Sequence, residues 1–317
     1  MKKSAVLMPN WIGDYVMALA VIMGKIDAGK DSLILIVPEK LVKLHKALSD
    51  IPYIVYNRRN LLLYFKSIRD IHKYSFKTFY LLPPSLSAAI LSFFCFVPRR
   101  RGINSDGRGF LLNDCLPGSL RNHQQHIINE YATILETPSF LPQSWKGQYT
   151  KIPKKADNYI VFCPGANYGP AKQWSGYGKL AKMISNYKII VLGSENDKTS
   201  ASQIIQEGGN HVCDLTGKTS FEEVIYYIIN SRCVVSNDSG LMHIAGFLEK
   251  PVIGIFGSTE PAWTKPLSRK SVIISTNESC SPCFKRECRY GHYSCMKKIT
   301  AAMIFKCIEE LISFCSE

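Results

Sequence analysis

At 317 residues, with 46% hydrophobic and 20% charged residues, the composition is that of a globular chain long enough for two domains with separate cores, and it excludes a disordered or fibrous protein. Lys and Arg number 39 against 25 Asp and Glu, a formal charge of +14, which calls for anionic partners (nucleic acid, membrane surface or phosphorylated substrate) without choosing among them. The longest apolar runs, Ala88–Val97 and Ile189–Leu192, fall short of the roughly 20 residues of a membrane span.

The N-terminus pairs a basic start with an apolar run, but Pro9, Asn10, Gly13 and Asp14 interrupt it, so no secretion signal is read. Among the 11 cysteines, Cys95, Cys163, Cys233 and Cys307 fall in expected strands and helices. That usage fits a reducing cytoplasm better than a disulfide framework.

In chain order, Ser4–Met8 reads as a strand, 9–14 as a loop and Tyr15–Met23 as an apolar helix. Alternation continues with strands at 32–37, 53–56 and 78–82 and helices at 41–48, 61–74 and 86–96, then a basic loop, Pro98-Arg99-Arg100-Arg101-Gly102, and a helix over 123–135. Pro138, Pro142 and Pro153 break the pattern and mark a linker between 137 and 157. A second series follows, with strands at 159–163, 188–192, 211–214, 233–235, 252–257 and 271–275 and helices at 177–184, 197–207, 221–230, 241–247 and 300–314. Such alternation predicts two α/β domains with doubly wound, mainly parallel sheets, over 1–150 and 151–298, followed by a C-terminal helix over 299–317. No internal repeat is apparent.

Ligands of such sheets gather at the carboxyl ends of the strands. Asp14 follows the first strand there and can accept a proton from a hydroxyl or cap the helix. Lys172 lies in the Gly- and Pro-rich loop 164–172, where a cation can neutralise a phosphate or remain solvated. The stretch Ser236–Ser268 packs strand, turn, helix and second strand, with Asn237-Asp238-Ser239-Gly240 where a backbone cradle would face an anion. The other reading is an ordinary βαβ unit with Asp238 as helix cap. His243 follows on the helix's first turn, as an anion neighbour or a packed histidine. Cys280, Cys283, Cys288 and Cys295 form C-x2-C-x4-C-x6-C among basic residues, read either as a structural zinc loop or as free thiols.

Three motifs in this order and spacing resemble the ADP-heptose:lipopolysaccharide heptosyltransferases, glycosyltransferase family 9: Pro9-Asn10-Trp11-Ile12-Gly13-Asp14, Pro164-Gly165-Ala166 through Lys172, and Asn237-Asp238-Ser239-Gly240-Leu241-Met242-His243. The block from Cys280 to Cys295 resembles the branch that adds the second heptose. The resemblance spans nearly the whole chain. It implies a GT-B fold, two Rossmann-like domains facing across a cleft, with the last helix returning to the N-terminal domain. It also implies inverting transfer of a heptose from an ADP-heptose donor to the inner-core heptose of a lipid A-linked acceptor, without a catalytic metal.

By the same resemblance Asp14 is the general base and Lys172 meets the leaving ADP. Asp238, Ser239, Gly240, Met242 and His243 hold the donor, with Glu222 toward the ribose. Asn10, Ser85, Ser87, Arg99, Arg100, Arg101 and Arg108 face the acceptor. The implied protein is a monomer, cytoplasmic and peripheral on an anionic membrane surface, and binds no nucleic acid. The rival readings are another GT-B nucleotide-sugar enzyme, such as an epimerase, and a basic zinc-containing nucleic-acid-binding protein.

Overall fold

The computed structural model describes residues 3–27, 32–58, 60–147, 152, 155 and 157–314. The chain forms two compact units, Met1–Phe140 and Leu141–Glu317. The division comes before the expected boundary at 150 because Trp145 already belongs to the second unit. Its indole Nε1 donates to the Phe247 carbonyl at 2.8 Å and its ring lies 5.2 Å from that of Phe247. Residues 148–151, 153, 154 and 156 of the expected linker lie outside the described residues.

The first unit runs β1 (Lys3–Leu7), α1 (Ile12–Asp27), β2 (Ser32–Pro38), α2 (Val42–Leu48), β3 (Tyr53–Tyr56), α3 (Leu61–His72), β4 (Thr78–Leu81), α4 (Leu86–Phe94), β5 (Arg99–Ile103), β6 (Asp114–Leu116) and α5 (Ile127–Ile134). Its strands pair in parallel in the order β3-β2-β1-β4-β5-β6. The central strands are almost wholly apolar and buried, as strands covered by helices on both faces must be. The chain leaves β1 toward β2 and returns on its other side with β4, so the loops after β1 and β4 flank a switch point at the carboxyl edge.

The second unit runs β7 (Tyr159–Cys163), α6 (Tyr177–Met183), β8 (Lys188–Val191), α7 (Lys198–Gly208), β9 (Val212–Asp214), α8 (Phe221–Asn230), β10 (Val234–Asn237), α9 (Gly240–Phe247), β11 (Val252–Ile255), α10 (Pro261–Thr264), β12 (Ser271–Ile274), α11 (Ser294–Lys297) and α12 (Ala301–Phe314). Its parallel order, β12-β11-β10-β7-β8-β9, repeats that of the first unit. Topology is thus duplicated where no sequence repeat is visible, and the second switch point lies between the loops after β7 and β10. The last helix, expected to return to the first unit, sets Ile304 and Ile308 into the second unit's core with Trp174 and Tyr177.

Most expected elements form within a few residues of their predicted ends, and β6, α10 and α11 are additions. Two differences matter for function. Helix α1 begins at Ile12, with Tyr15 N bonded to the Trp11 carbonyl at 2.9 Å, which makes Trp11 the cap and puts Asp14 inside the first turn. The basic stretch 99–101 is strand β5, not a loop.

Candidate active site

In the second unit the residues at the switch point form a buried polar cluster. Lys172, from the loop after β7, places Nζ 2.5 Å from Asp238 Oδ2. Thr259 Oγ1, from the turn after β11, donates to the same oxygen at 2.6 Å. His243 Nε2, one turn into α9, stands 3.7 Å from the other carboxylate oxygen, an electrostatic rather than a hydrogen-bonding distance. Asp238 is only 5% exposed. Burial alone would raise its pKa, but the His243 ring and the Lys172 ammonium outweigh burial and hold it at about 2.

Two buried polar atoms beside this cluster, His243 Nδ1 and Ser258 Oγ, have no partner among the described residues. A buried polar atom without a protein partner is a place for a bound water or a ligand group. No side chain caps α9, whose first-turn N–H groups and positive dipole end therefore stay available to an anion. Ser239 Oγ instead meets Ser236 Oγ at 3.2 Å. An ionised Asp238 repels phosphate, so within this cluster an anion falls to Lys172 and the α9 backbone, while the carboxylate orients Lys172 and His243. Met242 is fully buried and belongs to the core, so only its backbone can serve a ligand. Glu222 is exposed in the first turn of α8, after β9, and lies at the same carboxyl edge.

Neighbouring groups hold the cluster in place. Asn237, fully buried, donates from Nδ2 to the Pro164 carbonyl at 2.6 Å and accepts the Trp174 N–H at 3.2 Å, fixing both ends of the Lys172 loop to β10. The cysteine-bearing segment after β12 is bonded to the site's loops. Phe284 N donates to the Ser258 carbonyl at 2.7 Å, Tyr168 Oη to the Phe284 carbonyl at 2.6 Å, and Ala171 N to the Arg286 carbonyl at 3.0 Å. Lys172 Nζ and the Arg286 guanidinium lie 4.7 Å and 5.5 Å from the Tyr168 ring centroid.

The four cysteines of this segment are free thiols. Cys288 Sγ accepts the Tyr293 N–H at 3.5 Å, and that bond, with neighbouring N–H groups, lowers the thiol's pKa. Among the described residues no group of three or more His, Cys, Asp or Glu side chains is gathered so as to hold a metal ion. Burial, and after it the neighbouring Cys280, Cys283 and Cys288, raise the pKa of the Cys295 thiol.

In the first unit Asp14 projects from the first turn of α1, half-buried, beside the Tyr131 hydroxyl of α5. Burial and then the Asp14 charge push the Tyr131 pKa well above its ordinary value, so the phenol stays protonated and donates to the carboxylate. The N-cap reading of Asp14 falls with the earlier helix start, whereas a positioned carboxylate at the switch point stands. Asn10 lies in the same loop. Across the switch point, Ser85 caps α4 without a side-chain bond, and its hydroxyl meets that of Ser87 at 3.1 Å.

The arginines expected to face an acceptor are placed otherwise. Arg108 is fully buried and donates to the carbonyls of Ile103, Pro83 and Ser85 at 3.0, 2.5 and 3.3 Å, bracing the loop that carries the serines. Burial lowers its pKa to about 10. Arg99, Arg100 and Arg101 open β5 at the amino edge of the sheet, the edge opposite Asp14 and Ser85. Arg99 pairs with Asp114 at 2.5 Å and Glu136 at 2.6 Å, and Arg101 with Asp114 at 2.7 Å. Arg100 donates to the Leu111 and Val97 carbonyls at 2.8 and 2.9 Å. Internal pairing explains why three consecutive cations can form a strand.

Sequence reasoning gave no role to Thr259 or Tyr168, and placed Asn237 in the turn without its side-chain role. For Thr259 a signal existed, since Gly257-Ser258-Thr259 follows a strand of the same sheet and such turns reach its carboxyl edge.

The model of glycosyltransferase family 9 (heptosyltransferase) matches residues 64–294. Lipooligosaccharide heptosyltransferase 2 of Haemophilus ducreyi is 28% identical, over 98% of this chain and 99% of its own length. The enzyme of the same name from Haemophilus influenzae is 32% identical, over 73% and 75%. Among solved structures, Escherichia coli ADP-heptose lipopolysaccharide heptosyltransferase II shares the fold with a TM-score of 0.79, at 23% identity and over 100% of both chains.

Proposed function

The chain belongs to glycosyltransferase family 9, the heptosyltransferases, and we propose that it moves a heptose from ADP-L-glycero-D-manno-heptose to the inner-core heptose of lipopolysaccharide. The observation that carries this reading is the buried Lys172–Asp238–Thr259–His243 cluster beside an uncapped helix N-terminus, with two orphaned polar atoms at hand. It has the chemistry of a sugar-diphosphate site.

In this reading Asp14 takes the proton of the acceptor hydroxyl as that oxygen attacks the anomeric carbon, and Tyr131 keeps the carboxylate aimed. The bond from the anomeric carbon to the diphosphate oxygen breaks in the same step, which inverts the configuration. Charge developing on the departing ADP is met by Lys172 and the α9 N–H groups, while Asp238 holds Lys172 in place. His243 Nδ1 and Ser258 Oγ serve donor hydroxyls or phosphate oxygens, and Glu222 serves the ribose. Asn10, Ser85 and Ser87 serve the acceptor. No metal takes part.

The enzyme acts as a monomer on the cytoplasmic face of an anionic membrane, where a lipid-linked acceptor resides. No helix among the described residues is long and apolar enough to cross that membrane. No observation favours an epimerase or a nucleic-acid-binding protein.

The test is ADP release from ADP-heptose with and without a truncated, heptose-bearing acceptor, with UDP-sugars as controls. Acceptor-dependent release from ADP-heptose alone is expected. Release that never exceeds the acceptor-free rate would sink the transferase reading.

A further inference from the structure

Helix α4 carries no charged residue, and α3 turns apolar side chains away from the core. Both pack inward on one core, α3 through Ile68 and Ile71 and α4 through Ala88, Ala89 and Leu91. Their outward faces should then be polar. Instead Leu61, Leu62 and Phe65 of α3 are 69%, 80% and 59% exposed, and Phe93 and Phe94 of α4 are 42% and 50% exposed. A hollow of about 340 Å³ between the two helices is lined by Leu61, Tyr64 and Ile90 among others, so the apolar surface continues from one helix to the other.

Exposed cations edge this surface: Arg58, Lys66, Arg69 and Lys73. The acid among them, Asp70, meets Lys73 at 3.2 Å and Arg69 at 3.9 Å, leaving the rim net positive. Projecting Leu and Phe side chains ringed by Lys and Arg match the boundary between acyl chains and anionic headgroups. A second copy of the chain is the poorer occupant, because a two-fold contact would bring this positive rim against itself.

We infer that the α3–α4 face of the first unit is a docking surface for an anionic lipid bilayer. This deepens the membrane-borne acceptor of the proposed function. Its test contains neither donor nor acceptor, so either reading can fail alone.

The full-length protein is sedimented with phosphatidylcholine vesicles, with and without about a third phosphatidylglycerol. The parent should bind the anionic vesicles, less so as salt rises. A variant carrying Leu62→Ser, Phe65→Ser and Phe94→Ser should partition at least about tenfold less onto them while keeping its circular dichroism spectrum, since all three side chains are solvated. A second variant, Lys66→Gln with Arg69→Gln, should lose the preference for anionic over neutral vesicles, and it decides the matter if the first is insoluble. Absence of parent binding, or equal binding by parent and both variants, overturns the inference. So does a parent that elutes as a dimer while the triple variant elutes as a monomer, which would assign the face to a second copy.

Discussion

Asp238→Asn removes the charge at the centre of the second unit's cluster while keeping its shape, and its cost can be worked from the structure. The carboxyl pKa falls from 3.8 to about 2 on folding, worth about 2 kcal/mol at neutral pH. Removing one partner of a fully buried ion pair typically costs more, about 3–5 kcal/mol. The Lys172 side chain, however, is 12% exposed and can turn its ammonium toward water. The lower figure should therefore govern.

The sign follows from a depressed folded-state pKa. The contribution is complete above the unfolded value of 3.8 and is lost as pH falls toward about 2. Urea unfolding of parent and variant, followed by tryptophan fluorescence, should show a gap of about 2 kcal/mol at pH 7 that shrinks below 1 near pH 2. Trp174, buried in the Lys172 loop, reports on this region. Donor turnover should fall at least about tenfold, because Lys172 is no longer held by a charge. A stability gap that does not change with pH, or a variant as active as the parent, would refute the reasoning.

Asp14→Asn should lower the melting temperature only modestly, since the amide oxygen still accepts the Tyr131 hydroxyl and the loss is that bond's charge assistance plus the first-turn dipole interaction, together about 1–2 kcal/mol, yet reduce turnover at least about a hundredfold. Near-normal turnover would remove Asp14 from the chemistry. Arg108→Ala should destabilise the first unit by about 3 kcal/mol or more, because three carbonyls lose a buried donor. Arg99→Ala, whose side chain is 39% exposed, should cost about 1 kcal/mol or less and leave the KM for acceptor unchanged. A raised acceptor KM would return the β5 arginines to the acceptor site. Gly169→Ala would put a Cβ 2.5 Å from the Arg286 carbonyl at a φ of +148°, forcing the cysteine-bearing segment off the Lys172 loop. The expected result is a KM for ADP-heptose raised several-fold with kcat less affected, and an unchanged donor KM would show that the segment does not position Lys172.

The alternation of apolar runs was legible because parallel strands, buried on both faces, leave little freedom in residue choice. Since loops after such strands share one edge, Asp14, Lys172 and Asp238 could be singled out without knowing their neighbours. What occupies each charge was not legible, because pairing is tertiary. Asp238 reads as a cap or phosphate cradle until Lys172 and Thr259 reach it from other strands. The arginines of β5 read as a loop awaiting phosphates until Asp114 and Glu136 neutralise Arg99 and Arg101 and backbone carbonyls take Arg100. Arg108 reads the same way until three carbonyls take its Nε and Nη1 donors inside the fold.

That redistribution changes what the net charge of +14 means. Arg99, Arg101 and Arg108 spend their charge inside the first unit, and in the second unit Lys172 is balanced by Asp238, while Arg286 stays exposed on the Tyr168 ring that Lys172 also meets. In the proposed reading a diphosphate is held in the second unit largely by geometry: helix N–H groups, a held ammonium and orphaned polar atoms. Such contacts are buried and little screened. The cations still facing water, on the rim of α3 and around the cysteine-bearing segment, act over longer range and are screened by salt. In the proposed reading donor selection and surface attraction rest on different residues, so one should weaken with mutation or ionic strength while the other persists.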